Sequence, residues 1–162
     1  MYQLKNKGFT LIELLIVMAI IAILTTIGVG NFRTVRAKAR DATRKNDLET
    51  IAKTLEAYYN DHKEYPKSTA DNKIACKDNE HVCEWGEEFS DGANVTQNIT
   101  VYATKLPKDA RESHYYTYIS SDGISYKIYA NLENKNDPAI DNTITEACSE
   151  NETCNYKITS SN

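Results

Sequence analysis

The chain has 162 residues, the size of one domain, with 41% hydrophobic residues, 26% charged residues and a net charge of −4. Its mean hydropathy is −0.56 although residues 9–29 contain a single charged side chain, so the remainder is strongly polar. This distribution excludes collagen, a coiled-coil array and a multi-pass membrane protein, and it leaves little apolar material for a large enzyme pocket.

Charge divides unevenly along the chain. Residues 1–65 carry ten Lys/Arg and seven Asp/Glu, whereas residues 66–162 carry nine and sixteen. The acidic second half argues against specific nucleic-acid binding, because phosphates need a positive surface. Most of the eleven tyrosines also lie in that half, which we interpret as a wet, β-rich head exposed to solvent.

Residues 9–29 form a long apolar run. As a helix with a rise of ~1.5 Å per residue this run spans about 31 Å, enough to cross the hydrocarbon core of a bilayer. Lys5 and Lys7 precede it and, by the positive-inside rule, hold the amino terminus in the cytoplasm. We therefore predict a single-pass segment of the cytoplasmic (inner) membrane. The alternative is a secretory signal peptide cleaved near residues 28–30, but the run is longer than such a peptide requires and contains Glu13.

Helical periodicity continues beyond the apolar run. Apolar residues recur at steps of three and four from Phe32 to Tyr59, while basic residues fill the other faces. Pro66 ends the pattern. We predict one helix over about residues 9–60, apolar all round at first and amphipathic afterwards, with Gly28 and Gly30 as its weakest point.

The second half contains the strand signals. Residues 115–120 and 124–132 are rich in tyrosine and β-branched residues and flank Ser121-Asp122-Gly123, which predicts an antiparallel hairpin. Residues 94–106 have weak strand character, and Tyr156–Thr159 is predicted to add an edge strand. The predicted fold class is α+β, with the long amino-terminal helix packed on a small antiparallel β-sheet head.

The four cysteines, Cys76, Cys83, Cys148 and Cys154, all lie in the second half. Their spacings lack the C-x2-C pairs of a zinc ribbon, whereas a small exported head benefits from disulfide staples. We predict two disulfides and favour the local pairs Cys76–Cys83 and Cys148–Cys154, because short loops close most readily; the sequence leaves the connectivity open. A metal site that includes His81 is the alternative.

The most informative residues for function are residues 7–24, KGFTLIELLIVMAIIAIL. This segment resembles the amino-terminal signature of type IV pilins and type II secretion pseudopilins, in which a membrane peptidase cuts after the glycine and methylates the new terminal amine. The resemblance implies cleavage between Gly8 and Phe9 and N-methylation of Phe9. It also implies a subunit that waits in the membrane until an assembly platform and its ATPase polymerise it into a helical filament.

Glu13 is the single charge of the apolar run. A carboxylate there costs ~2.5–3.5 kcal/mol on insertion scales, which indicates a function. We predict that Glu13 pairs with the freed amine of Phe9, within one helix or between subunits, and so sets the axial register. The alternative is a protonated or snorkelling side chain near the bilayer edge. Family members commonly have a proline where this chain has Gly30, so a local melt or bend near Gly28 and Gly30 is expected in the filament.

The head resembles the family less specifically. LPKD at residues 106–109 and YKIYANLE at residues 126–133 are similar to the heads of major pseudopilins and short pilins. The loop after the hairpin binds calcium in major pseudopilins, and this resemblance implies a structural calcium site; no other cofactor is implied. The candidate oxygen donors are Glu133, Asn134, Asn136, Asp137 and Asp141. The alternative is a solvated acidic turn.

Together these patterns divide the chain into a leader peptide (1–8), a transmembrane and filament-core helix (9–30), its amphipathic continuation (31–65) and a periplasmic or extracellular head (66–162). The predicted function is structural and not enzymatic: a type IV pilin that polymerises with copies of itself. The alternative is the major pseudopilin of a type II secretion system; a minor pilin for DNA uptake or adhesion is a further one. We interpret the basic residues between 33 and 45 as facing acidic heads of neighbouring subunits, and His62, His81 and His114 as surface or hairpin residues.

Overall fold

The computed structural model of the chain describes residues 8–76, 82–91 and 99–160, without the side chains of residues 26–31. One helix is followed by short strands, which confirms the predicted α+β class. In chain order the elements are α1 (Leu11–His62), β1 (Ile74–Ala75), β2 (Val82–Cys83), β3 (Phe89–Ser90), β4 (Val101–Ala103), β5 (Thr117–Ile119), β6 (Lys127–Ala130) and β7 (Tyr156–Thr159).

Helix α1 has 52 residues and agrees with the predicted helix to within two residues at each end. It continues through Gly28 and Gly30 without a break, so a melt or bend of this segment in a filament stays a prediction. The helix ends one residue before Lys63, whose φ of 60° lies in the left-handed region that terminates helices.

The chain separates into two compact units, residues 1–37 and residues 38–162. The second unit therefore includes the later half of α1 together with the head. Leu48, Ile51 and Leu55 lie on one face of this part of the helix and are fully buried in the core. In the first unit, Phe32 and Val35 continue the same apolar pattern but stay exposed. The predicted apolar stripe is thus buried only where it belongs to the second unit.

Strands β5, β6 and β7 form an antiparallel sheet with β6 in the centre. This confirms the predicted hairpin and places Tyr156–Thr159 at a sheet edge. The connection between β5 and β6 contains Gly123 with a φ of 72°, and the carbonyl of Gly123 accepts a 2.7 Å hydrogen bond from the Tyr65 amide. The turn therefore fastens the hairpin to the segment that follows α1.

Two further sheets contain only two strands each. Strand β1 pairs with β2, and β3 pairs with β4, both antiparallel. Only β4 falls within a predicted strand region, because strands of two residues are too short to show an alternating pattern.

Tyrosine side chains fill much of the core. Tyr116 and Tyr118 are at most 1% exposed, so the interpretation of the tyrosines of the second half as markers of a wet surface is wrong for these two residues, and Tyr65 of the first half is also 1% exposed. Their hydroxyl groups are satisfied: Tyr116 donates to an Asp47 carboxylate oxygen at 2.7 Å and Tyr118 donates to the backbone carbonyl of Pro66. A buried tyrosine that finds such an acceptor contributes a large apolar ring without leaving its hydroxyl unpaired.

Both cysteine pairs form disulfides, and the favoured local connectivity is confirmed. Cys76 and Cys83 have Cα atoms 5.7 Å apart, and Cys148 and Cys154 have Cα atoms 5.0 Å apart. Because all four cysteines form disulfides, no thiolate remains for the alternative metal site. His81, the histidine of that alternative, lies outside the described residues. Each bridge closes a short loop in the head, which constrains the unfolded chain.

Candidate functional site

The predicted cleavage site lies directly before α1. Gly8 and Phe9 precede the helix, the Phe9 side chain is 89% exposed, and a Cβ atom placed on Gly8 meets no other atom within 4 Å. Within the described residues, this end of the chain is therefore accessible, and Gly8 is not required by local packing. Cleavage between Gly8 and Phe9 stays a prediction.

Glu13 and Thr10 form a reciprocal cap at the start of α1. A Glu13 carboxylate oxygen accepts hydrogen bonds from the Thr10 amide at 2.8 Å and from the Thr10 hydroxyl at 2.7 Å. In return the Thr10 hydroxyl accepts a 3.3 Å bond from the Glu13 amide. This is the capping-box arrangement, which the T-x-x-E spacing of the sequence already signals. The carboxylate is thus satisfied before cleavage, and its pairing with a freed Phe9 amine stays a prediction.

The helix that follows presents its apolar side chains to the outside. Leu11 is 84% exposed, and the other large apolar residues up to Leu24 are at least half exposed. These residues are Ile12, Leu14, Leu15, Ile16, Val17, Met18, Ile20, Ile21 and Ile23. Such a surface is far larger than the isolated apolar residues of ordinary monomers and indicates an interaction.

Among the described residues, no helix combines the length and the apolarity that a membrane crossing requires.

The second functional region is a network of charges around Arg44, which is 1% exposed. Its guanidinium contacts the Asp109 carboxylate at 2.6 and 3.1 Å, Asp41 at 2.9 Å and Glu133 at 2.9 Å. Arg40 donates two further hydrogen bonds to Glu133. Burial lowers the pKa of Arg44, but the Asp109 and Glu133 carboxylates more than offset it, so the pKa is raised and the side chain stays charged.

The network holds two loops of the head against α1. Asp109 belongs to the LPKD segment, and Asp41 accepts hydrogen bonds from the backbone amides of Glu133 at 2.9 Å and Asn134 at 2.8 Å. The hydrogen bonds that Arg40 donates are the main reason why the pKa of Glu133 is lowered to about 2. Sequence reasoning missed Arg44, Asp41 and Asp109; the only local signal was the three-residue spacing of Asp41 and Arg44 on the helix.

The five candidate calcium ligands lie in the same loop region, but basic side chains already contact their carboxylates. Glu133 binds Arg40 and Arg44, Asp137 accepts a 2.7 Å hydrogen bond from Lys45, and Asp141 accepts one of 2.8 Å from Lys157. The pKa of Asp137 is lowered, chiefly by the Lys45 hydrogen bond.

The neighbouring amides differ in their contacts. The backbone carbonyl of Asn134 accepts a 2.9 Å hydrogen bond from the backbone amide of Asp137, whereas Asn136 is exposed. In the part of the chain that the structure describes, no three acidic, histidine or cysteine side chains converge as a metal site would need. Calcium would have to compete with these internal cations, and its binding stays a prediction.

The two histidines that the structure describes, His62 and His114, differ in their burial. His114 is 6% exposed, and its ring nitrogens lie 3.0 Å from the Ser113 hydroxyl and 3.1 Å from a Glu152 carboxylate oxygen. His114 is therefore not a surface residue, but it directly precedes residues 115–120 of the predicted hairpin, which is the other placement that the sequence suggested. His62 is exposed as expected and stacks on Tyr58.

The basic stretch of α1 also needs a correction. Arg40, Arg44 and Lys45 form ion pairs with carboxylates of the same head, whereas the prediction has all the basic residues between 33 and 45 facing neighbouring subunits. Arg33, Arg36 and Lys38, by contrast, are exposed. No carboxylate of residues 8–76, 82–91 or 99–160 forms an ion pair with these three side chains.

Comparisons with known proteins place these features in context. The family profile described as the prokaryotic N-terminal methylation motif matches residues 3–29. The chain is 36% identical over 61 residues to the type IV major pilin protein PilA of Myxococcus xanthus, covering 38% of this chain and 28% of that protein. It is 44% identical over 64 residues to the type IV wide pilus major component PilA4 of Thermus thermophilus, covering 40% of this chain and 49% of that protein.

The aligned segments therefore span less than half of each of these relatives. No solved structure matches the chain.

Proposed function

The chain is a member of the type IV pilin family, and on that premise we propose that it is a structural subunit of a type IV pilus. The observation that carries the proposal is the exposed apolar surface of residues 11–24, which begins just after the Gly8–Phe9 junction and lies within the matched methylation motif. Both relatives are named as pilus components, which favours a pilus over a secretion pseudopilus and a structural over an enzymatic role.

In this proposal the precursor is stored in the cytoplasmic membrane. Lys5 and Lys7 stay on the cytoplasmic side, and a prepilin peptidase removes residues 1–8 and methylates Phe9. An inner-membrane assembly platform and its ATPase then transfer the apolar segment from lipid into a bundle of identical helices. Because lipid is as apolar as the bundle, the transfer gains little hydrophobic free energy, and packing and polar pairing select the assembled state.

Mass spectrometry of sheared filaments tests the processing. We expect a chain that begins at N-methylated Phe9, and a Gly8→Leu variant that stays uncleaved and forms no filaments. Because Gly8 has open space around it, this variant should fold normally, so that its failure reports recognition by the peptidase. Thr10→Ser is the matched control, since it keeps the capping hydroxyl. A mature terminus near Asn31 would instead identify a secretory signal peptide and contradict the proposal.

The cap at Glu13 allows a sharper test of the register hypothesis. Glu13→Gln keeps an oxygen that can accept the Thr10 hydrogen bonds, since glutamine also serves in capping boxes, but it removes the charge. Glu13→Val removes both. If the carboxylate pairs with the freed Phe9 amine, both variants are cleaved and accumulate in the membrane, and both polymerise poorly, because an unpaired desolvated charge is costly.

The two variants distinguish capping from charge pairing. Filaments of Glu13→Gln in normal number, with few from Glu13→Val, would show that Glu13 acts as a helix cap and contradict the register hypothesis. Filament counts by electron microscopy, normalised to processed subunit in the membrane, provide the measurement.

A further inference from the structure

Six basic side chains occur between residues 33 and 45, and they divide into two groups. The later three, Arg40, Arg44 and Lys45, each contact a carboxylate of the head at 2.9 Å or less. The earlier three are Arg33, Arg36 and Lys38; they are exposed and form no ion pair within the described residues. The guanidinium of Arg36 lies 4.2 Å from the centre of the Phe32 ring, which leaves its hydrogen-bond donors available.

The two groups share one sequence pattern. Arg33, Arg36, Arg40 and Arg44 follow one another at steps of three, four and four residues, the spacing that aligns side chains along a helix. The last two members of this series bind carboxylates through paired guanidinium hydrogen bonds. Guanidinium groups favour such bidentate partners, so the unpaired members have the chemistry to bind carboxylates as well.

The head offers a matching acidic surface in the loop closed by the Cys148–Cys154 disulfide. Residues 138–156 contain no lysine or arginine, and the loop presents Glu150 and Glu152 as exposed side chains. The loop is well fixed, because the amides of Cys148 and Ser149 both donate to the Glu152 carbonyl, at 3.0 and 3.2 Å. A rigid loop loses little conformational entropy when it binds.

Glu150 is one of several exposed acids of the head, with Asp71, Glu88 and Glu112, that form no ion pair within the described residues. Glu84 is paired with Lys73 at 2.7 Å, and Glu87 lines the same cleft as Lys105 and Lys108. Glu150 forms no ion pair within the described residues. Its exposed carboxylate is therefore accessible to a cation from outside the chain.

We infer that Arg33, Arg36 and Lys38 of one subunit dock on Glu150 and Glu152 of a second copy when the filament forms. The inference rests on the proposed filament function and names a contact through which the copies recognise each other. Charge complementarity supports a second copy as the partner, because each chain carries both the unpaired cations and an acidic loop in which Glu150 has no ion pair within the described residues and Glu152 contacts only His114. Complementary charges of this kind chiefly set register and reject wrong arrangements.

Zero-length cross-linking of wild-type filaments gives a direct test. A carbodiimide joins a lysine amine to a carboxylate in contact with it, and we expect peptides that link Lys38 to Glu150 or Glu152. In filaments grown from mixed ¹⁴N and ¹⁵N subunits these peptides should carry both labels, and they should be absent from subunits dispersed in detergent. The Lys73–Glu84 pair, with a nitrogen–oxygen distance of 2.7 Å, is the internal positive control. Filaments that yield the Lys73–Glu84 product but no Lys38 product to either acid would overturn the inference.

Charge reversal provides the functional arm. Arg36→Glu and Glu150→Lys should each lower filament yield at least about tenfold, and the double variant should return it to within about threefold of wild type. Lys53→Glu is the matched control, since Lys53 is also an exposed lysine of α1, and it should assemble normally. Each variant is compared at equal amounts of processed membrane subunit.

The outcomes separate this contact from the function on which it rests. If wild-type chains are processed but never polymerise, the proposed function fails and the contact fails with it. If wild-type filaments form and both single reversals assemble normally, the function stands and the contact is refuted. Loss of yield without rescue in the double variant, together with weaker binding of Arg36→Glu to phosphatidylglycerol vesicles, would assign the cations to anionic lipid and also overturn the contact.

Discussion

Replacement of Arg44 by methionine is expected to destabilise the unit formed by residues 38–162. The guanidinium of Arg44 is buried and holds the carboxylates of Asp109, Asp41 and Glu133. Methionine is flexible and fills much of the same space, so the change removes the charge with little loss of volume. What remains is a set of carboxylates that folding removes from water without their shared cation.

The size of the destabilisation follows from the burial of Asp41 and Asp109, the two carboxylates that are most buried around Arg44. Removing one member of a buried ion pair costs ~3–5 kcal/mol, because the other charge is left uncompensated. Glu133 keeps its hydrogen bonds from Arg40, which places the effect in the lower half of this range. For a unit of roughly 125 residues, each kcal/mol shifts the melting temperature by about 3–4 °C, so a decrease of roughly 10–15 °C is expected.

Thermal unfolding of the full chain in detergent, followed by tryptophan fluorescence, measures this effect. Trp85 is the single tryptophan and packs edge-on against Tyr116, so its emission reports on the head. Lys53→Met is the matched control, because it also replaces a basic residue of α1 but at an exposed position. A melting temperature of Arg44→Met within about 2 °C of wild type would refute the reasoning, since it would mean that the ion pairs only offset their own desolvation.

Three further predictions concern the head. The pKa of Glu133 is lowered to about 2 in the fold, so its contribution to stability is complete above the ordinary value of 4.5 and declines as the pH falls from there towards 2. Urea unfolding between pH 6 and 3 should show this loss of stability. In Glu133→Gln the free energy of unfolding should depend less on pH over the same range. Gly123→Ala should lower the free energy of unfolding by about 1–3 kcal/mol in the same assay, because the φ is 72° and the new Cβ would lie 3.3 Å from the Tyr65 carbonyl oxygen. Gly123→Asn should cost less, since asparagine tolerates this φ. Equal stability of Gly123→Ala and wild type would contradict the predicted strain. Calcium, if the acidic loop binds it, should raise the melting temperature of the full chain and lose this effect in Asp137→Asn, and an unchanged melting curve would leave Asp137 as the partner of Lys45 alone.

The elements that sequence reasoning predicted have strong local signals. The helix shows apolar residues at steps of three and four over its later half, and its end is marked by Pro66. The hairpin is marked by an Asp-Gly pair between two tyrosine-rich runs, and Gly123 has a positive φ within the connection of residues 120–126 between β5 and β6. Loop length favoured the correct pairing of the cysteines, because each disulfide joins cysteines only six or seven residues apart, although the sequence left the connectivity open.

The features that escaped prediction depend on contacts between distant residues. Arg44 forms ion pairs with Asp109, which lies 65 positions further along the chain, and with Glu133, which lies 89 positions further along. No local sequence pattern reveals such partners. For the same reason the sequence does not show that Tyr116 is buried, because the acceptor of its hydroxyl, Asp47, lies on α1, 69 positions earlier in the chain. The cap of Glu13 is different, because the T-x-x-E spacing was visible; the carboxylate was interpreted only through its charge and not through its hydrogen bonds.

The basic segment of α1 shows why a sum of charges is a weak guide to partners. Counting residues predicts six cations that face other subunits, yet the head supplies carboxylates for three of them. Those three pairs are partly or fully buried, so removing one partner leaves a desolvated charge in the fold, whereas exposed ion pairs contribute little to stability. Arg33, Arg36 and Lys38 carry the same charge but lack an internal partner within the described residues, so their contribution depends on what the chain meets when it assembles. A change at Arg44 should therefore appear in the melting temperature of the isolated subunit, and a change at Arg36 only in the yield of filaments.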